Sequence, residues 1–112
     1  MLTIETLNTY GADTQEGLTR CLGNEGLYLR LVGMIRDEKH FELLEAALEK
    51  GDLAAGFEAA HALKGVLSNL SLTPLQTPVE EITERLRAGE TEGTRELMEE
   101  IRAQKEALFE LI

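Results

Sequence analysis

Apolar residues recur along this chain at steps of three and four, the period of an amphipathic helix. Thr14 to Leu22 forms a short segment of this kind, ended by Gly23. Asn24 stands where an N-cap belongs. The segment after it runs to Lys50, with Leu27, Leu31, Met34, Phe41, Leu44 and Leu48 along one face. The charged run Arg36-Asp37-Glu38-Lys39-His40 interrupts that face and predicts a bend. Gly51 suits the left-handed position that ends a helix, and Asp52 suits the next N-cap.

The following helix, Asp52 to about Leu70, carries its stripe at Leu53, Phe57, Ala60, Leu63, Leu67 and Leu70. Those steps keep all six on one face. Leu75, Val79, Ile82 and Leu86 form the next stripe, closed by Gly89. Its start has two readings. Thr73-Pro74 and Thr77-Pro78 each resemble an N-cap followed by proline at the first helical position, and Gln76 and Glu80 complete a capping box for either. A proline inside a helix costs ~3 kcal/mol, which favours the start at Thr77. The last helix covers about Thr91 to Leu111, with Leu97, Ile101 and Leu108 inward. Strand signals are absent: no alternating Val/Ile/Thr run, no Asn-Gly or Asp-Gly turn. The expected fold is all-α, one domain over residues 1–112: an antiparallel four-helix bundle with a short extra N-terminal helix over one end.

Composition narrows the function. A chain of 112 residues has room for one core. It carries 21 acidic against 11 basic side chains, a net charge of -10. That field repels phosphate backbones, so nucleic acid is not an expected partner. No apolar stretch reaches the ~20 residues of a membrane span, and the N-terminal MLTIETLNTYG lacks the basic and apolar regions of a signal peptide. Cys21 is the only cysteine, which excludes an internal disulfide, and the CxxC and HExxH metal patterns are absent. The expectation is a cytoplasmic protein with no membrane contact, metal or cofactor.

The chemistry lies in the run from Ala60 to Ser71, AHALKGVLSNLS. His61, Lys64 and Gly65 stand at i, i+3 and i+4, which makes them surface neighbours on a helix. At ~100° per residue, His61 falls roughly 110° from the centre of the apolar stripe, so it reaches solvent beside the core seam. Ser68 shares that flank. A histidine alone on a helix is most often without function, and Lys64 alone is a solvated lysine. Gly65 changes the odds: glycine in a helix interior costs ~1 kcal/mol relative to alanine, and no turn needs it here. Either something approaches closely at Gly65, or another helix packs against it. A nucleophilic nitrogen, a neighbouring cation and cleared space are what an imidazole needs to take up a phosphoryl group.

These residues resemble the H-x-x-K-G signature of histidine-containing phosphotransfer domains. Two further segments are similar to that family: Gly23-Asn24-Glu25 with Leu27-Tyr28 resembles its G-N/D-E-x-L-Y opening, and Ala46-Ala47-Leu48 through Gly51-Asp52 its A-L-x-x-G-D joint. The resemblance covers roughly residues 10 to 110. It implies that His61 is the phosphoacceptor, that Lys64 stabilises the phosphoryl group, and that Gly65 clears space for a docking partner. Ala54, Phe57, Ser68, Asn69, Thr83 and the Leu22 to Leu31 region are then candidates for a docking rim. The chain departs from the family pattern at Ser71, where glycine is usual, at Pro78, and at Thr83, which occupies the place of a glutamine set against the imidazole. The implied partners are response-regulator receiver domains and a hybrid sensor histidine kinase. The receiver would supply the metal, and this chain, a monomer, only the nucleophile. No Gly-rich nucleotide loop or acidic metal cluster marks an enzyme in its own right. The competing readings are a helical adaptor that binds a receiver or another helix without chemistry, and a metal-binding or enzymatic bundle. For the latter no second histidine or carboxylate pair has ligand spacing. His40 lies in a charged stretch and reads as a surface residue, Cys21 as a small core residue, and the pairs Glu80-Glu81 and Glu99-Glu100 as solvated faces.

Overall fold

The computed structural model describes Met1 to Ile112 as seven α-helices and one 3₁₀ turn, with no strand. Three helices come first: α1 (Ile4–Tyr10), α2 (Thr14–Arg20) and α3 (Glu25–Gly33). The 3₁₀ turn Met34–Asp37 follows, and then α4 (His40–Lys50), α5 (Leu53–Asn69), α6 (Thr73–Arg87) and α7 (Thr94–Leu111). The last four form the antiparallel bundle. Arg102 on α7 pairs with Glu45 on α4 at 2.9 Å, which closes the ring of helices.

The end capped by the N-terminal segment is more elaborate than the single short helix expected. α1 was not anticipated, although a reciprocal capping box between Thr3 and Thr6 starts it and Gly11, at φ 111°, ends it. The predicted long segment after Asn24 is two helices. Asn24 caps α3 through the Leu27 N–H at 2.9 Å. The chain then leaves the helix in the charged run, where Glu38 is extended (φ -73°, ψ 113°) and its carboxylate accepts the His40 N–H. Between Ile35 and Phe41 no side chain is apolar, so a continuous helix there would have no core-facing residue to bury.

α6 follows the other of the two readings. It begins at Thr73 and runs through Pro78, which is buried. Thr73 is its first residue rather than its cap; the N-cap is Leu72, with no side-chain hydrogen bond. Burial of the proline ring offsets part of the lost backbone hydrogen bond. α7 starts at Thr94, three residues later than predicted, because Gly93 at φ 78° turns the chain and Arg85 holds the Glu92 carbonyl at 2.8 Å.

α5 is the centre of the bundle. Ala60, Leu63, Leu67 and Leu70 of the predicted stripe are buried, but toward the start of the helix Leu53 and Phe57 are only half-buried and Gly56 and Ala59 take their place. At that end the contact surface is made of small residues, which a hydropathy pattern undervalues. A Cβ on Gly56 would lie 3.4 Å from Leu86 of α6 and 3.7 Å from Ala47 of α4.

Tyr28 fastens the N-terminal helices to that centre. It is fully buried, and its hydroxyl donates to the Leu70 carbonyl at the end of α5, 2.8 Å away. Next to it, Ser71 adopts a left-handed conformation (φ 54°). Its hydroxyl donates to Glu16 at 3.0 Å and its carbonyl accepts the Asp13 N–H at 2.9 Å. Gly17 on α2 faces the Tyr28 ring so closely that a Cβ there would sit 2.5 Å from the ring carbons. Gly17→Ala should therefore destabilise the fold by about 1–3 kcal/mol, outweighing the ~1 kcal/mol gained in helix propensity. Urea unfolding measures this, and unchanged or greater stability would show that the Tyr28 ring is not fixed.

Burial pushes the Tyr28 phenol from 10.0 up to about 12, with the charges of Cys21 and Asp13 adding to the effect. Tyr10, whose hydroxyl donates to the Gln104 carbonyl, is pushed up by burial as well. A raised pKa means that the folded state holds these protons more tightly than the unfolded chain. The stabilisation is complete below pH 10 and drains away as pH rises through about 12. Denaturant midpoints on either side of pH 10 should fall with rising pH, and Tyr28→Phe should shrink that fall; an equal fall in the mutant would place the linkage elsewhere.

Candidate functional site

Asp52 starts α5 by accepting the Ala55 N–H at 3.1 Å. From there 17 helical residues run to Asn69, and His61 lies at their midpoint, exposed, between buried Ala60 and buried Leu63. The solvent-reaching flank expected for it is where the side chain stands. Its ring stacks on Phe57, one turn earlier, with centroids 5.6 Å apart and planes 19° from parallel. Helical side chains lean toward the N-terminus, so an i, i+4 pair of rings meets in this way.

The Phe57 ring has a second neighbour. The Arg87 guanidinium, from the last turn of α6, lies 5.1 Å from the same ring centroid and pairs with Glu84 at 3.3 Å. An exposed contact of this kind contributes ~0.5–1 kcal/mol. The sequence reading did not single out Arg87. The signal was nevertheless there: in an antiparallel pair, the end of α6 lies beside the start of α5, where Phe57 sits.

Lys64 is half-buried on the same side of α5, and none of the protein's ion pairs includes it. Gly65 is exposed, and a Cβ built on it would meet nothing within 4 Å. No helix packs there, which removes the alternative explanation of this glycine. An alanine methyl would not touch the imidazole either, so its steric effect would fall on an approaching molecule. Ser68 is half-buried and its hydroxyl donates to the Lys64 carbonyl at 2.6 Å; Asn69 and Ala54 are exposed. Thr83 is a correction. It is fully buried, and its hydroxyl donates to the Val79 carbonyl at 2.6 Å. A short hydroxyl on a helix bonds its own backbone, so Thr83 offers nothing to a docking partner. Of the Leu22 to Leu31 region, Leu22 is 95% exposed and Leu27 37% exposed. Leu31, Met34, Val66 and Asn69 line an open groove of about 430 Å³ between α3 and α5. The larger concavity, about 690 Å³ between α4 and α7, contains no residue of α5.

The family model of the Hpt domain matches residues 36–110, which include the His61-Lys64-Gly65 set and all of the bundle but the last residue of α7. The chain belongs to the Hpt domain family. Histidine phosphotransfer in two-component signalling is the work of that family. In this Hpt domain the A-L-x-x-G-D joint lies within the matched range, and the similarity around Gly23 to Tyr28 lies outside it. No curated protein and no solved structure matches the chain. No helix of this Hpt domain is long and apolar enough to cross a membrane, and no three His, Cys, Asp or Glu side chains cluster as metal ligands would.

With open space over Gly65, Gly65→Ala should raise stability by up to ~1 kcal/mol. Thermal unfolding checks it; a loss of stability would mean that the helix is distorted at this point.

Proposed function

We propose that this protein carries a phosphoryl group on His61 between the aspartates of response-regulator receiver domains, one of them part of a hybrid sensor histidine kinase. The observation that supports the reading best is the exposed imidazole at the midpoint of α5, with an unpaired lysine one turn away and empty space over Gly65. A nitrogen lone pair of the ring forms the N–P bond as the acyl phosphate P–O bond of the donor aspartate breaks. The displaced carboxylate stays on the donor, and the ring N–H proton passes to solvent. Transfer onward reverses these steps. The Lys64 ammonium balances the phosphoryl charge. In-line attack places donor and acceptor on opposite sides of the phosphorus, which an exposed flank allows and a closed pocket would hinder.

The docking rim in this reading consists of Ala54, Phe57, Ser68 and Asn69. The protein acts as a monomer, because a dimer on this flank would cover His61, and its net charge of -10 keeps copies apart. Its place of work is the cytoplasm, where receivers are charged.

Incubation with a phosphorylated receiver domain, followed by detection of acid-labile, base-stable phosphate, tests the proposal. His61→Gln should lose all uptake while circular dichroism and melting stay close to wild type. Lys64→Ala should slow transfer or shorten the phosphohistidine lifetime. Gly65→Ala should slow transfer from a receiver despite its greater stability. Equal labelling of His61→Gln would overturn the assignment and leave the adaptor reading.

A further inference from the structure

The Phe57 ring touches both His61 and Arg87, and these three residues come from two helices. An exposed histidine on a helix samples several rotamers, and each aims its ring nitrogens in a different direction. A flat ring one turn earlier selects the rotamer in which the two rings stack. That ring must itself be held, and Phe57 is only half-buried. The Arg87 guanidinium lies 5.1 Å from its centroid, and Arg87 is in turn paired to Glu84 on its own helix at 3.3 Å. Phe57 packs against the core along only part of its surface, the fully buried face of this stretch of α5 being Gly56, Ala59 and Ala60, so the rest of the ring is left to meet His61 and Arg87.

The geometry points to Phe57 and Arg87 as positioning residues for the phosphoacceptor: Arg87 steadies the Phe57 ring, and Phe57 holds the His61 imidazole with its edge, and thus its nitrogens, turned to solvent. This rests on His61 being the phosphoacceptor. Neither residue touches the phosphoryl group; both act through the orientation of the ring.

The experiment separates orientation from chemistry and from docking. Orientation is read by NMR on the unphosphorylated protein. The His61 ring protons should show the upfield ring-current shift of a stacked imidazole. Phe57→Leu should abolish that shift, Arg87→Ala should reduce it, and Arg87→Lys, which keeps a cation for the ring face, should restore part of it. Chemistry is read with phosphoramidate as donor. A His61 nitrogen forms the N–P bond as the donor's P–N bond breaks, and ammonia leaves with the ring proton. No receiver is present, so lost docking contacts have no effect. Uptake should fall several-fold in Phe57→Leu and Arg87→Ala and recover partly in Arg87→Lys, with melting temperatures of the two Arg87 variants near wild type.

Identical His61 ring shifts in wild type and Arg87→Ala would overturn the role of Arg87 whatever the rates. Ring shifts that change while uptake stays at the wild-type rate would overturn positioning as such. If wild type itself takes no phosphate, the phosphoacceptor reading fails first, and that is visible before any variant is compared.

Discussion

Everything in this bundle depends on how closely α5 can lie against its neighbours. Gly56, Ala59 and Ala60 present almost no side chain, so α4 and α6 come into direct contact with the helix. Close packing of this kind recovers dispersion energy across the whole contact. It also leaves one side of the helix free. A helix whose core contacts were long side chains would stand further out. Here α5 is gripped along one side by small residues and by Leu63 and Leu67, and His61 is presented on the other.

The resulting site is a surface without a cavity. The two concavities described above lie elsewhere: one holds no α5 residue, and the other reaches α5 only at Val66 and Asn69 and at the C-cap residue Leu70. Such a site does not enclose a small substrate or exclude water, so in the proposed reading transition-state stabilisation by enclosure comes from the docked receiver. In the proposed reading the chain's contribution is local: a nucleophile, a cation and a clear approach over Gly65.

Much of this was legible in the sequence. The Gly51-Asp52 joint and the Asn24 cap are strong local signals, and both form as read, because a left-handed glycine and an Asp or Asn side chain satisfy backbone groups without help from the rest of the fold. The His61-Lys64-Gly65 set was legible too, because helical periodicity alone brings the three together. What escaped depends on tertiary contact. The burial of Pro78 and Thr83 is decided by how α6 sits on α5. The stripe on α5 shifted toward its small residues because hydropathy does not score how closely helices approach. Arg87 lies far from His61 in sequence and enters only through an antiparallel pairing. Thr3 and Thr6 did carry a capping signal for α1, but it was obscured by a segment with few apolar residues.

Ser71 has a consequence for how this protein can change over generations. Its backbone is held at φ 54°, which costs a residue with a side chain roughly 1–2 kcal/mol. Its hydroxyl recovers part of that by donating to Glu16. A glycine at this corner would relax the backbone and leave the Glu16 carboxylate with Arg20 as its remaining partner; loss of Glu16 would leave a nearly buried hydroxyl with no partner in a backbone still strained. The two positions are therefore epistatic: the effect of replacing either one depends on which residue occupies the other. A change from serine to glycine here removes strain and a hydrogen bond together, so its net effect is set by what stands at position 16.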